Sequence, residues 1–309
     1  MQSIPWSGEI VNKPGIYRGI PLADYHRFDL CDAPSVSSSF LRTLINKSPK
    51  HAWEESALNP EHPDDEAESE AIAKGRAVHK AVAAEPFDDD TVLRPPTIAG
   101  HPYNGNRKEW REWLEEQRKA GKTVITPKMA EDIKGMIIAL GNFPLVQQGL
   151  LSGAPERSMF DLDPRGFYKK ARPDGIPNDS GDFFDLKTTR SVLYRDLKRT
   201  IVDYGYDMQG AMVMEVARAL GLPAASFTLL FVESKPPYCV RAVTLKDEDL
   251  ARAHQLNQLA YDIFWQCLQS NHWPGPGDDR PDAEYIDLPD WYRTSVDNRI
   301  KYQLREAVR

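Results

Sequence analysis

The sequence predicts an α/β domain, with helices outside a central mixed sheet. Three observations carry that expectation. Residues 37–49, 70–84, 106–119 and 127–140 space their apolar side chains as helices do. Residues 156–162, 167–172 and 182–188 are short strand-like runs divided by turn residues. From residue 204 to residue 269 the pattern then runs helix, strand, strand, helix.

Residues 1–34, rich in Pro, Gly and Asp, are expected to form an irregular lead-in to a domain spanning 35–274. The first helix should start at Ser37-Ser38-Ser39, where hydroxyls can cap free amides, and carry Phe40, Leu41, Leu44 and Ile45 as far as Ser48-Pro49. Pro60 to Glu70 holds six acidic residues and no Lys or Arg, the pattern of a solvated loop. A helix of small residues follows to Ala84, with Ile72, Val78 and Val82 on one apolar stripe and His79 inside it. Asn106–Lys119 and Pro127–Leu140 are the next helices, the second with Met129, Ile133, Met136, Ile137 and Leu140 in phase.

The three strand-like runs are joined by Asp163-Pro164-Arg165-Gly166 and by the turn-rich stretch from Gly175 to Gly181, so a meander is expected. A helix from about Tyr204 to Leu220 ends at Gly221 and Pro223; strands at Ser226–Val232 and Cys239–Leu245 precede a long helix from Asp247 to Gln269. Residues 275–309 mix aromatic and charged side chains without a clear period and are expected to be a tail.

Composition narrows the function classes. With 41% hydrophobic and 10% aromatic residues, the 309-residue chain can fill a real core. No run approaches the roughly 18 apolar residues of a membrane helix, and an amino terminus holding Pro5, Glu9 and Lys13 lacks a signal peptide's apolar centre, so a cytoplasmic protein without membrane contact is expected. Cys31, Cys239 and Cys267 are odd in number and far apart, which argues against a disulfide frame, a zinc site or an iron–sulfur site and for three buried thiols. A net charge of −7 excludes a protein that coats nucleic acid with its whole surface. Any contact with DNA must be local.

The chemistry-bearing segment is Arg172-Pro173-Asp174 followed by Asp185-Leu186-Lys187-Thr188-Thr189. Phosphodiester hydrolysis needs carboxylates that hold a hard divalent cation near the scissile phosphate. On a strand, Asp185 and Lys187 point to the same face, and a hairpin entered through Phe183 and Phe184 can bring Asp174 beside Asp185. The short pattern alone is weak, since about one Asp-x-Lys is expected by chance in a chain of this length. Asp132-Ile133-Lys134 and Asp196-Leu197-Lys198 repeat it in helical settings without a preceding Pro-Asp. From these residues alone, an exposed hairpin with solvated charges remains open.

Further residues carry a resemblance. Gly75-Arg76-Ala77-Val78-His79 with Glu85-Pro86, then Gly121 to Thr126, Glu156, Arg172-Pro173-Asp174, Asp185 to Thr189, and Tyr204, Tyr206 and Gln209 occur in the order found in RecE-like exodeoxyribonucleases of the PD-(D/E)XK superfamily, which the chain resembles from about Gly15 to Pro274. The resemblance implies the restriction-endonuclease-like core, with His79, Asp174, Asp185 and the Leu186 carbonyl as metal ligands and Lys187 as the catalytic cation. It implies magnesium, for which manganese can substitute and which the histidine suits better. Behind the ligands, Glu156 is either a supporting carboxylate near the metal or a strand-surface one, Gln209 either contacts DNA or the catalytic strand or simply belongs to an amphipathic helix with Met212, Val213 and Val216, and Glu85 ends its helix and orients its neighbour. A departure is Val213, where the family's Gln-x-x-x-Tyr element has its tyrosine.

The activity implied is removal of one strand from linear double-stranded DNA, 5′ to 3′, to leave 3′ tails for annealing, in a bacterial cytoplasm and encoded by a phage or prophage. A RecT-like annealing protein and a tetrameric ring are implied partners. The ring also has a charge argument: Arg165 to Arg199 holds nine Lys and Arg against five Asp, a balance of +4 that leaves −11 elsewhere. Basic segments lining a channel would retain DNA that salt would otherwise release; a monomer kept soluble by its acidity stays open. Candidate DNA contacts are Ser37, Ser39 and Arg42 at a helix start, and Arg172, Thr188, Arg190, Arg195 and Lys198 around the motif. Two other readings remain open, a catalytically silent DNA-binding or partner-binding relative and a RecB-like or Cas4-like single-strand nuclease. The Cas4 group usually carries four clustered cysteines, which are missing here.

Overall fold

A computed structural model describes residues 3–61, 70–82, 91–151, 153–155, 157–177, 180–278 and 280–307. The chain forms two compact units, Met1–Trp273 and Pro274–Arg309. Among the described residues no helix is long and apolar enough to cross a membrane.

The first unit is mixed α/β, and most of its strands sort into two five-stranded sheets rather than one meander, with two further two-stranded pairs, Thr91–Leu93 with Thr123–Ile125 and Thr97–Ile98 with His101–Pro102. In the first, Ser158–Leu162 and Tyr168–Ala171 pair antiparallel, Gly15–Arg18 pairs antiparallel with the former, and Ser35–Ser37 lies parallel to the latter. Gly15–Arg18 falls in the segment expected to be irregular, and its Ile16 and Tyr17 are buried. The chain leaves this sheet after Ala171. Pro173 stands there, and a residue without an amide hydrogen cannot continue a ladder. Asp174 thus lies on the passage between the two sheets.

The second sheet is centred on the strand Asp182–Thr189, called here the motif strand. On one side it runs parallel to Ser226–Glu233, with Asp185 opposite Leu229 and Lys187 opposite Phe231; on the other, Gly175 pairs antiparallel with Phe184. Phe227 and the run Leu229–Val232 of the parallel partner are fully buried, as a strand covered on both faces requires. Helices Tyr206–Ala219 and Asp247–Ser270 contribute to the core that contains Phe183, Leu229 and Phe231. Helices Glu70–Val82 and Pro127–Gly141 build the second core with Leu186, Leu230 and Val232. The alternation of side chains along the motif strand therefore feeds two cores.

Several local expectations are corrected. The single helix expected from Tyr204 is the second of two, Tyr194–Tyr204 and Tyr206–Ala219, divided by Gly205 in the left-handed region (φ 57°, ψ 42°). A Cβ at Gly205 would stand 2.6 Å from Arg42 Cδ, so backbone and packing both select glycine. Ser37 is the cap residue of the helix Ser38–Asn46 but its hydroxyl caps no amide; it is 2.8 Å from the Ser39 hydroxyl instead. Ile72 is exposed, because the helix meets its neighbours through Ala73, Ala77 and Val78. Cys31 and Cys267 are buried, whereas Cys239 is exposed just before the strand Val240–Thr244.

The second unit contains the helix Asp290–Ala307, which the sequence reading did not anticipate. Its Trp291, Ile300, Tyr302 and Leu304 are exposed, so no buried stripe marks it in the sequence.

Candidate active site

The site is built on the motif strand and the hairpin before it. A Cβ at Gly175 would lie 2.2 Å from the Phe184 ring, so glycine lets the two strands close, and their register sets Asp174 beside Asp185. The Leu186 amide donates to Asp174 Oδ2, and His79 Nδ1 lies 2.8 Å from Asp174 Oδ1. On the other carboxylate, Gln209 Nε2 donates to Asp185 Oδ1 at 2.9 Å while the Lys187 ammonium pairs with Oδ2. Lys187 Nζ also stands 4.9 Å from the centre of the Tyr206 ring. Asp185 is 2% exposed.

Burial of this group sets its electrostatics. Desolvation raises the Asp185 carboxyl to about 6, with the Asp174 charge adding to it and Lys187 and His79 opposing. Burial also pushes Asp174 up, but His79, Lys187 and the Leu186 amide together hold it below the usual carboxylate range. Desolvation would depress His79, and the Asp174 carboxylate more than offsets it. Lys187 is held above its ordinary value because Asp185 and Asp174 outweigh burial. Two carboxylates of one site are thus driven apart in protonation, a pattern characteristic of functional sites.

His79, Asp174, Asp185, Leu186, Lys187 and Gln209 are therefore linked by direct contacts. Thr188 follows on the same strand, and a Cβ on Gly75 would meet its hydroxyl at an ordinary 3.5 Å, so sterics alone do not demand that glycine. Arg42 is half-buried; desolvation depresses its guanidinium while Tyr206, Asp185 and Asp207 act against this, and it donates to the Tyr204 carbonyl. Arg172 donates to the Ile20 carbonyl at 2.7 Å with its guanidinium 5.8 Å from the centre of the Tyr25 ring. Arg190, Arg195 and Lys198 are exposed; Arg195 pairs with Asp196 at 3.4 Å and Lys198 lies 4.8 Å over Tyr194. Glu85 and Glu156 lie outside the described residues.

The repeats of Asp-x-Lys have other work. Asp132 is buried and meets Lys74 Nζ at 2.6 Å, Lys128 Nζ at 3.0 Å and the Tyr238 hydroxyl at 2.9 Å. It ties the helix that carries His79 to the helix Pro127–Gly141. Asp196 accepts from the Ser191 hydroxyl at 2.7 Å. Neither the Lys74–Asp132 pair nor the Tyr206 ring beside Lys187 was visible in the sequence, since only tertiary contact creates them.

Among the described residues, no three His, Cys, Asp or Glu side chains are grouped closely enough to hold a metal ion. The donors are engaged with each other, His79 with Asp174 and Lys187 with Asp185. Their chemistry nevertheless fits a hard divalent cation. Two carboxylates lie side by side, and the buried Asp185 Oδ2 accepts no hydrogen bond of proper geometry although the ammonium stands against it.

Comparison with known proteins adds the fold. A search of curated proteins finds no match. Among solved structures, a protein of Eubacterium rectale described as a putative exonuclease superposes with a TM-score of 0.54 at 14% identity, covering 86% of this chain and 92% of that one, which shows a shared fold. A phage-related exonuclease from Haemophilus somnus 129PT also matches, at TM-score 0.35 and 14% identity over 78% of this chain and 97% of that one, a likeness too low to carry an argument. The family described as a PDDEXK-like domain of unknown function (DUF3799) matches residues 37–287, well over half of the sequence, and the chain belongs to that family.

Proposed function

We propose that this protein is a metal-dependent exodeoxyribonuclease that removes one strand of linear double-stranded DNA from its end. The observation that carries the reading is the juxtaposition of Asp174 and Asp185, with Lys187 paired to one and His79 in contact with the other. Asp174, Asp185, His79 and the Leu186 carbonyl would hold magnesium or manganese. Such an ion polarises the phosphoryl oxygen and supplies water for attack. The chain's own share is positional: Gln209 orients the Asp185 carboxylate, and Lys187 presents an ammonium to the developing charge on the phosphate. Arg190 and Lys198, both exposed, would meet the DNA backbone in this reading. Family membership and the fold shared with the Eubacterium rectale protein support a nuclease; the 5′ to 3′ direction and a role beside a RecT-like annealing protein rest on the sequence resemblance. The catalytic domain in this reading is 35–274, followed by a tail.

One gel tests the reading. End-labelled linear duplex should be shortened with magnesium and left intact with EDTA, while closed circular duplex survives both; cleavage of the circle, or of the linear form in EDTA, would overturn it. Calcium should support binding with poor cleavage, because its larger, looser oxygen shell positions water less strictly, whereas manganese should replace magnesium. Equal rates with calcium and magnesium would count against this site. The active form is expected to be a closed ring, with the exposed Arg190, Arg195, Lys198 and Arg199 facing DNA, since Lys169 and Lys170 of the same basic segment are buried. Light scattering coupled to size exclusion should then give a mass several times that of the 35.0 kDa chain. A monomer mass combined with processive digestion would rule the ring out.

A further inference from the structure

Beside the motif strand, two tyrosines form a step that the hydrolytic site does not use. Tyr204 and Tyr206 flank Gly205, and because the left-handed glycine reverses the chain there, their rings come together as an offset stack with centroids 5.7 Å apart and planes inclined by 15°. The inner ring is half-buried and stands against Lys187. The outer ring is 60% exposed. Arg42 fixes the reversal by donating to the Tyr204 carbonyl, and its side chain occupies the space a Cβ at Gly205 would need.

Charge around the step suits a polyanion. The helix ending at Tyr204 carries Arg195, Lys198 and Arg199 exposed, and Tyr194 on the same helix is exposed beneath the Lys198 ammonium. Arg195 and Arg199 share their charge with Asp196 and Asp203 at 3.4 and 3.2 Å, which leaves a mixed, locally basic surface rather than a simple phosphate clamp. Exposed aromatic rings interleaved with cations are the surface on which unpaired nucleotides lie, since every base offers a π-face and every link a phosphate.

We propose that the exposed face of Tyr204 is a nucleobase-binding step: an unpaired base stacks on it, so that base, Tyr204, Tyr206 and Lys187 stand in series. This rests on the reading of the site as one for DNA and adds that the strand reaches Lys187 unpaired. The step holds a base of the strand on the far side of Tyr206 from Lys187, and it favours purines, which offer the larger face. Tyr204 is a positioning residue for the strand.

The test uses the full chain in EDTA with a short single-stranded oligonucleotide carrying 2-aminopurine at its end. Wild type should quench the probe on binding. Tyr204→Ala should abolish the quench and weaken binding about tenfold, whereas Tyr204→Phe and Tyr204→Trp should keep both. An alanine variant that binds and quenches as wild type does would overturn the proposal, and so would a phenylalanine variant as weak as alanine, because the hydroxyl and not the ring would then hold the strand. Digestion of labelled linear duplex separates this from the hydrolytic reading. Normal digestion with no effect of Tyr204 on the probe rejects the step alone; loss of the quench in Tyr204→Ala, in a protein that never hydrolyses DNA, upholds the step and rejects the nuclease.

Discussion

Asp185→Ala, Asp174→Ala and Lys187→Ala should each lower DNA hydrolysis by more than roughly 100-fold, the loss seen when one electrostatic contributor is removed from a reacting site. Each acts through a different contact: Asp185 holds Lys187 and Gln209, Asp174 holds His79 and the Leu186 amide, and Lys187 supplies the cation. The protein should remain folded. Two buried carboxylates side by side repel, so Asp185→Asn is expected to leave the melting temperature unchanged or to raise it while activity is lost. Activity on labelled linear duplex and the melting temperature, measured on the same preparations, check both halves. An inactivating Asp196→Ala with an active Asp185→Ala would show that the wrong Asp-x-Lys has been chosen.

Asp132→Ala should have the largest effect on stability, about 3 kcal/mol, because it strands the Lys74 ammonium in a buried position. Lys74 side chain is only 11% exposed, so water replaces little of what is lost. The same contact makes stability depend on pH. Burial works to raise the Asp132 carboxyl, but hydrogen bonds from Lys74, Lys128 and Tyr238 bring it down to about 2 from 3.8. A depressed carboxyl contributes stability above its unfolded value and loses it as pH falls through the folded value. The Asp132 contribution, about 2 kcal/mol on this shift, is therefore full above pH 5 and fades towards pH 2. Urea unfolding of wild type and Asp132→Asn should show a gap at pH 7 that narrows by pH 3. A gap independent of pH would mean that packing and not charge holds the pair.

Short-range features of this chain were legible and long-range ones were not. The Asp174 to Asp185 spacing, with Gly175 between the two and Phe184 across from it, carries its own hairpin, so a local pattern placed the two carboxylates together. Helix Pro127–Gly141 was equally legible, because Met129, Ile133, Met136 and Leu140 repeat in phase and are all buried. Which sheet each strand joins was not, since Pro173 marks a break without saying where the chain goes next. The division at Gly205 was hidden because Tyr204 to Leu220 has a continuous helical period, and only the folded backbone, left-handed there, and the approach of Arg42 show why glycine is there. Helix Asp290–Ala307 lacked a stripe to read, and Ser37 offered a capping hydroxyl that bonds to Ser39 instead. Local chemistry proposes such contacts, and tertiary packing chooses among them.

The parallel pairing of the motif strand with Ser226–Glu233 bears on when the site can assemble. A chain emerging from the ribosome carries His79, Asp174, Asp185 and Lys187 well before Phe231 exists to lie opposite Lys187. Parallel neighbours cannot pair through a tight turn and wait for the crossing segment, here the two helices from Tyr194 to Ala219, to be made and docked. The sheet that carries Asp185 and Lys187 therefore cannot be completed until the strand at Ser226–Glu233 has been made, so its assembly is a late event in synthesis rather than one that grows with chain length.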